Sequence, residues 1–139
     1  MNLKAKRGKE VTVKIINRIG ILADLAKFLA DRGVNLLALN ATVVDDQAII
    51  RLITDDNLRA EDVLREHGYN PHEEDVVLLT IPHKPGMLHR VSEILAEAMI
   101  DTHHIYATTT DSNGDCCVVL HTANDDQALI KFNEVRIGV

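Results

Sequence analysis

Five of the seven histidines, His83, His89, His103, His104 and His121, fall between residues 83 and 121, together with Cys116 and Cys117. Neutral imidazole and thiolate are the usual donors of transition-metal sites. The spacing argues against such a site. His103 and His104 are neighbours on a strand-like stretch and point to opposite faces, as do the two cysteines, so at most one of each pair can converge on one ion. A nucleophilic centre is also missing: Ser92 falls inside a predicted helix, Ser112 in a turn, and neither a G-x-S-x-G elbow nor a G-x-x-x-x-G-K-[ST] phosphate loop occurs. The expectation is a protein with no catalytic set and no cofactor.

Gly20 and Gly86 are the more informative residues. Each follows a short polar loop and precedes an apolar periodic stretch, where a glycine lets ligand atoms approach the free N–H groups of a helix's first turn. A carboxylate is the chemistry such a loop suits. The simpler alternative is that both glycines only permit a tight strand-to-helix turn.

The elements around these loops repeat. Residues 11–16 are rich in β-branched side chains and read as a strand, and residues 21–32 carry apolar Leu22, Leu25, Ala26 and Leu29 on one helical face, with Gly33 as the stop. Residues 34–44 and 48–54 read as a hairpin turning at Asp45-Asp46, and a helix follows from Asp55-Asp56-Asn57 to about His67. The stretch 69–81, broken by Pro71 and the acidic Glu73-Glu74-Asp75, is expected to hold the last strand of one unit and, from Val76, the first strand of the next. A helix carrying Leu88, Val91, Leu95, Ala98 and Met99, strands over 102–110 and 116–122, and a helix from about Asp125 complete the second cycle. Sliding the chain by 66 residues lays Gly20 on Gly86 and places Val11, Leu22, Leu29, Ala30, Ala41 and Thr42 on identical residues.

This predicts an α+β fold of two ferredoxin-like βαββαβ modules, each a four-stranded antiparallel sheet with two helices on one face. The expected division is a flexible N-terminal arm over 1–10, module 1 over 11–74, and a C-terminally shortened module 2 over 75–139, with only residues 135–139 left for its fourth strand. With a formal net charge of −6 and only Phe28, Tyr69, Tyr106 and Phe132 as aromatics, direct nucleic-acid binding is disfavoured. Charges recur through the first eighteen positions, so no membrane segment is expected there, and two adjacent cysteines that cannot easily pair suit a reducing, cytoplasmic setting.

The run Asn17-Arg18-Ile19-Gly20-Ile21-Leu22 before an amphipathic helix, with Gly33-Val34-Asn35 opening the next strand, resembles an ACT domain. His83-Lys84-Pro85-Gly86-Met87-Leu88 resembles a second, with the Pro-Gly pair intact where the first has Ile19 for proline. What the resemblance implies is a tandem regulatory protein that binds an amino acid at an interface between modules and reports occupancy to a partner. Contacts are then expected from Asn17, Arg18, Ile19, Gly20, Ile21 and Leu22 with Asn35 and Leu36, and in module 2 from His83, Lys84, Pro85, Gly86, Met87 and Leu88 with Asp101. Asn17 and Asn35 both donate and accept hydrogen bonds, as a zwitterion requires, so module 1 fits an amino acid better than module 2. The minority metal reading would use His83 with His103 or His104.

The resemblance extends to small two-module proteins related to acetolactate synthase regulatory subunits, implying a free-standing, homodimeric regulator of a biosynthetic enzyme of amino-acid metabolism. The alternatives are a ligand-free interaction module and a transcriptional regulator.

Overall fold

The computed structural model describes residues 3–108 and 114–135. The chain divides into two units: the first spans Lys9–Glu74, and the second joins the segment ending at Gly8 to the chain from Asp75 onward.

In chain order the elements are β1 (Lys4–Ile16), α1 (Ile21–Asp31), β2 (Leu36–Val44), β3 (Gln47–Thr54), α2 (Asn57–Glu66), β4 (His72–Pro82), α3 (Met87–Glu97), β5 (Thr102–Thr108), β6 (Asp115–Thr122) and α4 (Asp125–Glu134). The strand order in the first unit is β2-β3-β1-β4 and in the second β1-β4-β6-β5, the ferredoxin-like order in both. All resolved pairings are antiparallel: Val13 stands opposite Ile50 and Leu39 opposite Leu52 in the first unit, Leu79 opposite Val118 and Ile105 opposite Leu120 in the second.

One apolar cluster per unit fixes the layers. In the first unit Val11, Val13, Ile50 and Leu52 on the sheet pack against Leu25 and Leu29 of α1 and Ala60, Val63 and Leu64 of α2. In the second, Val77, Leu79, Val118 and Leu120 meet Val91 and Leu95 of α3 and Ala128 and Phe132 of α4. The strand residues alternate with a period of two and the helical ones with a period near 3.6, so one face of each element is covered.

Three expectations are corrected. Residues 4–10 are the opening of β1 rather than a flexible arm, and Leu3 just before it is 2% exposed inside the second unit's core. Backbone pairing and apolar burial outweigh the local charge of Lys4, Lys6 and Arg7, whose side chains are not buried with it. The strand stays tied down on its outer side: Asn133 of α4 accepts a hydrogen bond from the Ala5 N–H and donates one to the Ala5 carbonyl, both at 3.0 Å, and Arg7 pairs with Asp126. Residues 4–8 thus occupy, beside β4, the place expected for a strand over 135–139; Val135 caps α4, and residues 136–139 lie outside the described residues. Second, β4 runs unbroken from His72 through Glu73-Glu74-Asp75, because exposed carboxylates on a strand stay solvated while its main chain pairs. Third, Met99 leaves α3's apolar face: it sits past the helix end at φ 57° and is 93% exposed. The expected turn over 111–114 lies outside the described residues up to Gly114.

Within the first unit Glu61 of α2 is buried, and burial, reinforced by the neighbouring Glu73 and Asp62 charges and opposed by Arg65, pushes its carboxyl above the usual carboxylate range. An acid whose folded-state pKa is raised destabilises the fold once ionised; that loss is complete at neutral pH and disappears as pH falls through the folded and then the unfolded pKa. Glu61→Gln should therefore raise the melting temperature at pH 7, with the gain over wild type shrinking as pH falls into the carboxylate range. Thermal melts across that range check it.

Candidate functional site

Helices α1 and α3 begin differently from α2 and α4. Asp56 accepts a hydrogen bond from the Arg59 N–H and Asn124 one from the Gln127 N–H, capping α2 and α4. Gly20 and Gly86 occupy the same position on α1 and α3 in left-handed conformation, φ 87° and 88°, and provide no side-chain cap. That conformation is strained for any residue with a Cβ. The Ile21 and Met87 N–H groups donate to the Arg18 and Lys84 carbonyls, at 3.3 and 3.4 Å, which leaves the N–H groups of Leu22 and Ala23, and of Leu88 and His89, without a side-chain cap where the helix dipole adds partial positive charge.

Beside each uncapped end lies a cavity. In the first unit it encloses about 280 Å³ between the start of α1 and strands β2 and β3. Asn17, Arg18, Gly20, Ile21 and Leu22, all expected from the sequence, line it. The opposite wall is Ala41, Thr42 and Val43 of β2 with Ala48 and Ile50 of β3, and Ala23 closes the helix side. The loop is held in register because the Asn17 N–H donates to the Asp46 carbonyl at the β2–β3 turn, 2.7 Å away. The Arg18 guanidinium donates to Asp24 at 2.6 Å, a hydrogen bond that keeps it charged. The result is a mostly apolar slot with an amide, a hydroxyl, a cation and helix N–H groups at its rim, and no carboxylate among its lining residues.

The second cavity, about 220 Å³, is its repeat. His83, Lys84, Met87 and Leu88 stand where Asn17, Arg18, Ile21 and Leu22 stand in the first, and Ala107 and Cys116 where Ala41 and Ile50 stand. Cys116 Sγ lies 3.0 Å from His83 Nδ1.

Other expected residues lie elsewhere. Ile19 is fully exposed at the loop tip. Asn35 and Leu36 do not line the first cavity: the Asn35 N–H donates to Asp55 Oδ1 at 2.9 Å and its carbonyl accepts from the Asp55 N–H, while Leu36 packs on the first core. Asp101 likewise is absent from the second cavity and accepts from the Ala123 N–H, and Pro85 and Gly86 shape its loop without lining it. The minority metal set is not assembled. His103 and His104 sit beside His121, with ring centroids 5.4 Å apart in each pair, whereas His83 is bonded to Cys116 at the far end of β6. No group of three or more His, Cys, Asp or Glu side chains placed to hold a metal occurs among the described residues. The sheet wall was missed by sequence reasoning, although the repeat itself marked it: Ala41 and Thr42 recur as Ala107 and Thr108.

A family model described as an ACT domain pair matches residues 8–137. The chain belongs to the ACT family. This ACT pair is similar in structure to protein BT0572 from Bacteroides thetaiotaomicron, at 25% identity and a TM-score of 0.86, over 94% of this chain and 89% of that one. Its fold is shared by the regulatory subunit of aspartate kinase from Thermus thermophilus, at 14% identity and a TM-score of 0.65, over 96% of both chains. Aspartokinase α and β subunits share it at 12% identity and a TM-score of 0.66, again over 96% of both. No curated protein matches the ACT pair described here. Among the described residues, no helix is long and apolar enough to cross a membrane.

Proposed function

We propose that this ACT pair is a regulatory sensor that binds an amino acid in the first-unit cavity and modulates a partner enzyme of amino-acid metabolism, with no catalysis of its own. The observation that carries the reading is the junction of an uncapped α1 end with an apolar slot: the N–H groups and Arg18 suit a carboxylate, Asn17 and Thr42 offer acceptors to an ammonium, and Ile21, Leu22, Val43 and Ile50 suit an aliphatic side chain. The regulatory role draws on the family, and on the aspartate kinase regulatory subunit that shares the fold. A cytoplasmic setting is supported by the two free thiols.

Asn17→Ala should weaken amino-acid binding by about 1–2 kcal/mol, roughly 5- to 30-fold, with the melting temperature of the free protein nearly unchanged. Calorimetric titration measures it, and equal affinity in the variant would move the site away from this loop.

One wall of the cavity is β2, a strand at the end of the sheet order whose Leu37, Leu39, Val43 and Val44 are exposed. An unpaired apolar edge of this kind invites a second copy, so the protein is expected to be a homodimer whose pairing closes the ligand slot. Light scattering should give twice the chain mass at tens of micromolar; a monomer there would contradict the pairing.

A further inference from the structure

The two cavities share position and shape of wall but not chemistry. Three residues that differ between them change together: Asn17, Ile21 and Ile50 in the first correspond to His83, Met87 and Cys116 in the second. A single isoleucine-to-methionine difference in a packed core is ordinary volume-conserving exchange. An imidazole, a thioether and a thiol at three lining positions of one cavity is a change of donor softness, and the remaining lining residues, Ile81, Pro82, Lys84, Leu88, Ala107 and Val118, bring no oxygen donor side chain.

We propose that the second cavity is a binding site for a soft monovalent d10 metal ion of the copper(I) class, held by Cys116, His83 and Met87. Thiolate and thioether select copper(I) over the hard and borderline ions, and imidazole is compatible with it. Met87 lines the same cavity, and the thiol–imidazole pair needs little movement to take an ion. Cys116 Sγ and His83 Nδ1 are 3.0 Å apart, within hydrogen-bonding distance. An ion bonded to both at distances near those of zinc–sulfur and zinc–nitrogen bonds, about 2.3 and 2.0 Å, with a trigonal angle sets them about 3.7 Å apart, an opening that an exposed His83 on a loop can make. On binding, the Cys116 S–H bond breaks, the sulfur–metal bond forms with the sulfur's electron pair, and the proton leaves to solvent; no oxidation state changes. The thiolate cancels the ion's charge, so the complex adds no net charge beside the Lys84 ammonium and the apolar walls, where a divalent ion would add a second positive charge. Met87 and Cys116 are only 5% and 7% exposed, which limits water's access to the ion.

Cys117 supplies the internal control. It neighbours Cys116 but projects to the other face of β6, pairing with Thr80 and Thr108 across the sheet, and it does not line the cavity.

The experiment is anaerobic titration of the full chain with copper(I) against a chromogenic copper(I) chelator, alongside thermal melts with and without the ion. One equivalent should bind and raise the melting temperature. Cys116→Ser should weaken binding by more than about 100-fold, since even outer-shell partners of a metal contribute about 10- to 100-fold. His83→Asn and Met87→Ile, which install the first unit's residues, should each weaken it by about 10-fold or more, and Cys117→Ser should bind as wild type. His83→Asn is at an exposed position, so its fold is secure even if Cys116→Ser proves unstable. Failure to compete with the chelator, binding that survives His83→Asn and Cys116→Ser, loss in Cys117→Ser, or stabilisation by zinc in place of copper(I) would each overturn the assignment. Because the readout is the metal and the variants lie in the second unit, these results are independent of whether the first cavity takes an amino acid.

Discussion

Leu3→Ala will destabilise the second unit by about 2–5 kcal/mol, the range for removing most of a fully buried leucine side chain from a core that cannot collapse around the gap. Leu3 is 2% exposed and belongs to the cluster of Val77, Leu79, Val118 and Phe132, although more than seventy residues separate it from Val77 in sequence. If residues before Lys9 were a solvated arm, the same substitution would change stability by less than about 0.5 kcal/mol. Denaturant melts of the two proteins distinguish these outcomes directly. The result also fixes how the second unit obtains its fourth strand: the segment ending at Gly8 is required, and a tag or truncation there would expose the edge of β4 and bare its core.

Ala23→Trp will abolish amino-acid binding while leaving the chain folded. Ala23 is exposed on α1, so an indole there displaces no core side chain, yet it lines the first cavity directly above the slot between α1 and β2. A ligand cannot share that volume with the ring. The matched change in the other unit, His89→Trp, stands at the corresponding repeat position and should leave first-cavity affinity as it was. A calorimetric titration in which Ala23→Trp binds as tightly as wild type would place the ligand outside this cavity.

Much of this was legible in the residues because the signals were local. β-branched runs, the helical face of Leu25 and Leu29, the caps at Asp56 and the left-handed glycines at 20, 33 and 86 each act over a few residues, and the 66-residue repeat multiplied their weight, although Leu22, expected on that face, is exposed and Ile21 is buried in its stead. The loop residues of both cavities followed from the same pattern. What escaped was set by distant partners. Nothing near Lys4-Ala5-Lys6-Arg7 announces that Leu3 will be buried against Val77 or that Asn133 will bond Ala5, because the composition of the segment is that of a solvated tail and its strand state depends on pairing alone. The acidic Glu73-Glu74-Asp75 looked like a break for the reverse reason: a polar stretch on a strand is tolerated when its side chains stay in solvent. The cavity walls at Ala48, Ile50 and Cys116 were hidden because a residue lining a slot and one filling a core have the same hydrophobic pattern; only the register of β3 and β6 separates them. Asn35 and Asp101, expected from the family resemblance, do not line the two cavities, because a position at the start of a strand does not fix which way its side chain reaches.

The account rests on the first cavity being a place where a small zwitterion binds the native state, and that is best tested by following the melting temperature of the wild-type chain against the twenty amino acids at millimolar concentration. A ligand that binds only the folded form must raise the midpoint by mass action. The account predicts a selective rise for a group of aliphatic amino acids, lost in Ala23→Trp and kept in His89→Trp; a flat profile across all twenty would contradict it and leave the ACT pair as an interaction module.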